Sequence, residues 1–257
     1  MKPYYKTDNC TLYQCDNLDL MKSLPDNYID LIYCDILYNT GKKFKDYDDN
    51  LGTPQEAVLW YEPRLQEMKR ILKETGSIYL HMDYRLVHYM KVKMDEIFEI
   101  NNFQNEIIWS YKSGGSSKKS FAKKHDNILQ YSKSKDFVFN NQKEKSYIDK
   151  SKGYNPYVEY FEDNKGDYIY INMLNVWNIP IMSTNSNSRT SYSSEKPEEI
   201  CRRIVEASSN KNDIVADFFM GSGTTGEVAL ELGRKFIGCD IGDKACKISK
   251  ERVEKIT

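Results

Sequence analysis

The chain has 257 residues, 40% of them hydrophobic, and a formal net charge of −1 at pH 7. This length suits one large domain, or one domain with a sizeable insertion. A near-neutral charge excludes a surface that attracts nucleic acid everywhere, so any nucleic-acid site must come from local clustering of charge. The sequence also lacks a membrane-length apolar run, a signal-peptide pattern and a CxxC pair among its six cysteines. We therefore expect a reduced, cytoplasmic protein that makes no membrane contact and has no metal site.

The first half of the chain predicts alternating strands and helices. Apolar runs predict strands at residues 12–15 and 29–34, and an acidic residue follows each run, Asp16 and Asp35. A short helix is predicted between them. Further on, apolar spacing predicts helices at 54–73 and 85–98, the first ended by Gly76, and strands at 77–82, 107–111 and 127–131.

The composition changes after about residue 133. From there to residue 194 the chain is rich in Asn, Ser, Tyr and Lys, with weak periodicity. Such a stretch is too long for a plain loop in a compact domain. We therefore predict an inserted recognition region with little regular structure at 136–190, between a catalytic half at 1–135 and a cofactor-binding half at 191–257.

Regular patterns return at the C-terminal end. A helix is predicted to begin at about Pro197, followed by a strand at 214–216, a helix at 225–232, a strand at 236–239 and a last helix. Strands that alternate with helices indicate an α/β fold, with a mostly parallel sheet covered by helices on both faces.

The strand at 214–216 leads into a glycine loop, Asp217-Phe218-Phe219-Met220-Gly221-Ser222-Gly223-Thr224. Glycines between a strand and a helix allow close approach of a ligand to the backbone and to the helix N-terminus. Asp240 ends the next strand, where an acid typically binds ribose hydroxyls. The loop lacks both the third glycine of a dinucleotide fingerprint and a Walker lysine. A nucleoside without phosphates fits better, and S-adenosylmethionine is the common one.

At these residues the chain resembles a known family. The loop at 217–226 is similar to the cofactor motif of amino-group DNA methyltransferases, and Asp35-Ile36-Leu37-Tyr38 resembles their catalytic Asp-Pro-Pro-Tyr segment. The catalytic segment precedes the cofactor loop, which is the order of the β class. Agreement extends to three further stretches, Gly76–Tyr84, His125–Lys133 and Glu195–Glu198. The resemblance implies a Rossmann-like, S-adenosylmethionine-dependent methyltransferase fold with permuted motif order and an inserted target-recognition region.

The resemblance also implies which residues surround the cofactor. Asp240 would hold the ribose, and Lys196 would lie beside the methionine carboxylate. Asp16, at the end of the first strand, would line the same pocket, although capping of a turn is an equal alternative. The remaining expected cofactor contacts are Asp217, Phe219, Gly221, Ser222, Gly223 and Thr224.

Methyl transfer to an amino group assigns roles to the catalytic segment. The exocyclic amine is a poor nucleophile, and a carboxylate and a backbone carbonyl that accept its N–H groups stabilise the charge that develops on it. Asp35 is the candidate carboxylate and the Ile36 carbonyl the second acceptor. Tyr38 would stack on a base flipped out of the duplex. The family has prolines where this chain has Ile36 and Leu37, a loss of preorganisation of about 0.4–1 kcal/mol per position.

A basic stretch gives the expected DNA contacts. Residues 112–152 contain eleven lysines and four acidic residues, which suits contact with phosphates. Lysines on a solvated loop are the alternative explanation. The candidate DNA contacts are Lys43, Lys118, Lys119, Lys123, Lys124 and Arg189.

An aspartate in the first position of the catalytic segment is, in the resembling family, usually associated with adenine N6. We therefore expect a site-specific DNA adenine methyltransferase acting on double-stranded DNA in a restriction–modification or DNA-protection setting. A cognate restriction endonuclease and a homodimer stay open as partners. The alternatives are a cytosine-N4 or RNA base methyltransferase, and a DNA- or cofactor-binding protein silenced by Ile36 and Leu37.

Overall fold

The computed structural model describes residues 1–113, 115, 117–149, 153, 155–182, 190, 192 and 195–256. These residues contain fourteen strands: β1 (Tyr5–Lys6), β2 (Cys10–Gln14), β3 (Ile29–Asp35), β4 (Lys42–Lys43), β5 (Asp48–Asp49), β6 (Leu72–Met82), β7 (Phe103–Ser110), β8 (His125–Ser132), β9 (Lys143–Tyr147), β10 (Phe161–Asp163), β11 (Gly166–Asn172), β12 (Val176–Asn178), β13 (Ile214–Asp217) and β14 (Lys235–Asp240). They also contain six α-helices: α1 (Asn17–Ser23), α2 (Pro54–Ile71), α3 (Val87–Phe98), α4 (Glu198–Ser208), α5 (Thr224–Glu231) and α6 (Asp243–Val253).

Nine strands form the central sheet, in the order β1-β2-β14-β13-β3-β6-β8-β7-β12. Only β1 and β8 run against their neighbours, so the sheet is mostly parallel. Helices cover both faces: apolar residues of α1, α2 and α3 form one core with the sheet, and those of α4, α5 and α6 form the other. The predicted α/β architecture is confirmed.

The order of strands brings the two ends of the chain together. β13, which precedes the glycine loop, lies beside β3, which ends at Asp35, with Val215 opposite Leu31. From β13 the chain crosses to β14 on one side, and from β3 it crosses to β6 on the other. Neighbouring strands whose connections leave in opposite directions open a crevice at their carboxyl ends, where open α/β sheets bind ligands.

Gly76 is not the end of a helix, as predicted, but part of a strand. α2 ends at Ile71, where the N–H of the capping residue Leu72 donates to Met68, and β6 follows directly. A Cβ on Gly76 would lie 2.9 Å from the carbonyl oxygen of Asp30 on the neighbouring strand. The glycine therefore allows β6 to pack closely against its neighbour.

The prediction of little regular structure between residues 136 and 190 is wrong. Strands β9, β10 and β11 form a separate antiparallel sheet, and β12 joins the central sheet parallel to β7. Aromatic side chains hold the small sheet together, with the rings of Phe161 and Tyr168 stacked at 5.6 Å. β9 and β10 consist mostly of polar residues, and only Tyr168 to Ile171 of β11 form an apolar run, which is why the sequence pattern was weak. The boundaries of an insertion at 136–190 stay a prediction.

Two further observations concern the whole fold. All six cysteines are free thiols, and five of them are buried. Among the described residues, no helix combines the length and apolar character needed to cross a bilayer.

Candidate active site

A cavity of about 520 Å³ opens at the carboxyl ends of β3, β13 and β14. Both segments singled out in the sequence line it: Asp35 to Tyr38 on one side, and Phe219 to Ser222 with Asp240 on the other. The volume lies within the range of sites that bind small molecules and cofactors. The fold therefore joins the expected catalytic residues and, apart from Gly223, the expected cofactor-binding residues in one site.

The glycine loop has a backbone that only glycine adopts easily. Gly221 has φ = +48° and Gly223 has φ = +78°, in the left-handed region that side chains disfavour. A Cβ on Gly223 would also lie 2.7 Å from the hydroxyl of Ser249, and one on Gly221 would lie 3.1 Å from the ring of Tyr192. The loop thus passes tightly between α6 and Tyr192 and delivers the chain to the N-terminus of α5.

Asp217 supports this loop from inside the protein. Its carboxylate is 3% exposed and accepts from the N–H of Phe219 at 3.0 Å and from the hydroxyl of Thr225 at 2.7 Å. Burial raises the pKa of Asp217 to about 7 because a charged carboxylate is poorly solvated there. Its contacts fix the shape of the loop.

Asp240 faces the cavity, and its carboxylate oxygens can accept further hydrogen bonds. One oxygen accepts from the N–H of Gly221 at 3.1 Å, and the other accepts from the N–H of Gly242 at 2.8 Å. Each carboxylate oxygen can accept more than one hydrogen bond, so both are available to vicinal hydroxyls. Burial raises the pKa of Asp240 above its ordinary value. An oriented carboxylate beside a glycine loop fits the ribose of a nucleoside.

Asp16 forms part of the cavity wall. It caps α1 by accepting from the N–H of Leu18 at 2.8 Å, and it pairs with the guanidinium of Arg64 at 3.0 Å. Arg64 lies 3.4 Å over the ring of Trp60 and also donates to Asn17, whose amide donates to the carbonyl of Phe218. Asp16 therefore both caps a helix and lines the pocket. Arg64 lies 48 positions away from Asp16, so no local pattern in the sequence indicated this pair.

Arg252 is a second residue that the sequence did not reveal. Its side chain is 6% exposed and pairs with Glu195 at 2.8 Å and with Glu227. It also donates to the hydroxyl of Thr224 at 3.0 Å and to the carbonyl of Ser222 at 3.3 Å. Arg252 thus ties the glycine loop to α6 from behind.

Asp35 is held by two partners at the opposite side of the cavity. The hydroxyl of Tyr38 donates to one carboxylate oxygen at 2.8 Å, and the ammonium of Lys196 donates to the other at 2.5 Å. Burial lowers the pKa of Lys196, but the negative charges of Asp35 and Asp126 outweigh it and raise the pKa overall. Lys196, expected beside the cofactor, lines the same cavity but contacts the carboxylate of Asp35.

A buried polar network stands behind Tyr38. Its hydroxyl lies 3.2 Å from Asp126, which also accepts from the hydroxyl of Tyr111 at 3.0 Å. His81 is fully buried, with Nε2 3.5 Å from Asp126 and Nδ1 2.9 Å from the hydroxyl of Tyr33. His81 and Asp126 fall in stretches that resemble the family, but their own spacing in the sequence gave no sign of the contact.

The expected DNA contacts lie on two surface segments. Lys118, Lys119 and Lys123 are exposed on the loop between β7 and β8, and Lys124 is half-buried. Lys43 is exposed on the β4–β5 hairpin, whose residues 44 and 46–49 line the cavity. Arg189 lies outside the described residues.

Known proteins resemble this chain over most of its length. Residues 29–251 match a family model of N6/N4 type described as "DNA methylase". The type II methyltransferase M.HpaI of Haemophilus parainfluenzae is 32% identical over 242 residues, which cover 93% of this chain and 73% of that protein. The DNA adenine methyltransferase YhdJ of Escherichia coli (strain K12) is 31% identical over 250 residues, with coverage of 95% and 82%.

Solved structures share the fold. The PvuII DNA methyltransferase, described as cytosine-N4-specific, superposes with a TM-score of 0.69 at 20% identity, covering 98% of this chain and 88% of its own. M1.HpyAVI in complex with S-adenosylmethionine gives a TM-score of 0.61 at 21% identity, covering 95% and 99%.

Proposed function

The chain belongs to the N6/N4 DNA methylase family, and we propose that it transfers a methyl group from S-adenosylmethionine to the N6 amino group of an adenine flipped out of double-stranded DNA. One observation carries the proposal: the carboxylate of Asp35 and the glycine loop, far apart in the sequence, line one cavity. That cavity is large enough for a nucleoside cofactor with a base beside it.

The cofactor, when bound, supplies a methyl group already activated on a sulfonium. The residues of this chain then have to bind the cofactor and orient it towards the base. Asp240 offers both carboxylate oxygens to ribose hydroxyls. The glycine loop lets the backbone approach the ligand, and Asp217 and Arg252 keep the loop in that shape.

Asp35 acts on the amine of the base. A carboxylate that accepts one amine N–H, with the Ile36 carbonyl accepting the other, stabilises the positive charge that grows on the nitrogen during transfer. Tyr38, held by Asp35 and Asp126, presents a ring on which the flipped base can stack. The ammonium of Lys196 donates to one oxygen of Asp35 at 2.5 Å, and the carboxylate can accept a further hydrogen bond from the amine.

Adenine is favoured over cytosine by the residue type at position 35. In the resembling family an aspartate there usually accompanies N6 transfer, and YhdJ carries the description of an adenine methyltransferase. We further propose a cytoplasmic role in protecting DNA from a cognate restriction endonuclease, since M.HpaI is described as a type II methyltransferase.

The proposal is tested by expressing the chain in a bacterial host that lacks its own DNA methylation and mapping modified bases by single-molecule sequencing. We expect N6-methyladenine at one recurrent sequence motif, and none in cells that express Asp35→Ala. If N4-methylcytosine were the only modified base, cytosine would take the place of adenine as the proposed target. Absence of any modified base, with the protein present and folded, would contradict the proposed activity.

A further inference from the structure

The loop between β7 and β8 is anchored beside the buried polar network behind Tyr38. The N–H of Tyr111, at the start of the loop, donates to the carbonyl of Lys124 at its end, at 3.1 Å. The ammonium of Lys124 donates to the hydroxyl of Ser113 at 2.8 Å. Just beyond the loop, Asp126 accepts from the hydroxyl of Tyr111 at 3.0 Å and lies 3.2 Å from the hydroxyl of Tyr38. Both ends of the loop are therefore fixed beside the ring on which the flipped base would stack.

Phe121 projects from this loop into solvent. It is 99% exposed, the most exposed of the large hydrophobic side chains that the structure describes. Exposed lysines flank it: Lys118, Lys119 and Lys123. The ammonium of Lys123 lies 4.0 Å over the ring of Tyr84, so this positive charge is held at the surface beside the loop. An aromatic ring set among lysines combines groups that stack on bases with groups that contact phosphates.

The short stretch of chain between Phe121 and Asp126 limits how far Phe121 can lie from the proposed active site. Phe121 lies five positions before Asp126, a separation that extended chain spans in at most about 18 Å. Flipping a base leaves an unstacked gap in the duplex directly next to the pocket that receives the base. Proteins that kink DNA insert apolar side chains between its base steps.

We propose that Phe121 is a wedge that enters the duplex and fills the space vacated by the flipped base, while Lys118, Lys119 and Lys123 hold the neighbouring phosphates. Tyr38 then stacks on the extruded base and Phe121 on the bases left behind. The inference rests on the proposed function, since it needs a DNA duplex as the substrate. Lysines around the ring favour this polyanion over an apolar protein partner.

The test uses two synthetic duplexes that carry the mapped target sequence. In one the target adenine is paired with thymine, and in the other it faces cytosine, so that flipping costs less. We expect Phe121→Ala to lower kcat/KM on the paired duplex by about 10-fold, the scale of one lost stacking contact. On the mispaired duplex we expect the variant to come within about threefold of the wild type. Phe121→Trp keeps a stacking ring and should retain activity on both.

Tyr28→Ala is the matched control. Tyr28 is 36% exposed and directly precedes β3, at the end of that strand opposite to Asp35, where its N–H donates to the carbonyl of Ile71 at 2.7 Å. We expect its kcat/KM to be unchanged. Equal losses by Phe121→Ala on both duplexes, or no loss on either, would overturn the wedge while leaving the methyltransferase intact. A wild type that methylates neither duplex would overturn the proposed function and the wedge together.

Discussion

Ile36 and Leu37 connect the carboxylate of Asp35 to the ring of Tyr38, and hydrogen bonds hold both of their backbones. The N–H of Ile36 donates to the carbonyl of His81 at 3.1 Å, and the carbonyl of Leu37 accepts from Tyr61 at 3.0 Å. Proline has no N–H and could not make the first bond. The side chain of Ile36 is 3% exposed and packs in the core. The chain thus gains through hydrogen bonding and packing the rigidity that the family obtains from prolines.

Asp240 provides the sharpest residue-scale prediction for cofactor binding. Asp240→Ala removes the carboxylate that faces the cavity but leaves a small, well-tolerated side chain. We expect the dissociation constant for S-adenosylmethionine, measured by calorimetry, to rise by roughly 10- to 100-fold, because hydrogen bonds to a charged group contribute about 1.5–3 kcal/mol. An unchanged dissociation constant would refute a ribose-binding role.

The raised pKa of Asp217 predicts that the free energy of unfolding depends on pH. Its pKa in the folded protein is raised to about 7 by burial, whereas the unfolded value is about 3.9. Between these values the native state binds the extra proton, so stability from this group is full below about pH 4 and is lost as the pH rises towards 7.

Asp217→Asn removes this titration while keeping polar atoms for Phe219 and Thr225. We expect wild-type protein to lose stability relative to the variant by up to roughly 1.4 kcal/mol per pH unit across that window. Urea unfolding of both proteins between pH 5 and 8 measures it. Parallel profiles would contradict the assigned protonation of Asp217.

At the scale of elements, the glycine loop depends on its contact with α6. Gly223→Ala places a Cβ against Ser249, whereas Gly233→Ala, at a similar φ of +74°, has only Lys211 within 4 Å, at 3.8 Å. Both variants bear the backbone cost of about 1–2 kcal/mol. We expect Gly223→Ala to lose a further 1–3 kcal/mol of unfolding free energy, roughly, through overpacking. Equal losses in chemical denaturation would show that the loop is not tightly packed there.

Elements with strong local patterns were predictable, and contacts between distant ones were not. The apolar run before Asp35 and the glycine loop after β13 are local signals, and both lie where expected. Arg252 looks like a solvated charge on a polar helix until folding places it behind Ser222. The aromatic rings around Tyr168 come from three short strands, two of them mostly polar, so the pattern of each strand alone did not predict a sheet.

In the whole molecule, the order of strands explains how the proposed catalytic segment near residue 35 comes to lie beside the proposed cofactor loop near residue 221. β13 inserts beside β3, and their connections diverge, so the crevice between them is built from both ends of the chain. The family match over residues 29–251 spans both ends as well. The central claim is therefore that this single crevice brings a methyl donor and a DNA amine together.

The most direct test incubates the purified protein with tritiated S-adenosylmethionine and unmethylated genomic DNA, then separates the nucleosides. We expect label in N6-methyladenine, and a fall of roughly 100-fold or more with Asp35→Ala, the scale of losing a group that stabilises transition-state charge. Calorimetry with the cofactor shows whether that variant is still folded and binding. Label in N4-methylcytosine alone would change the target base but not this claim, whereas no label at all, or near-normal turnover by Asp35→Ala, would contradict it.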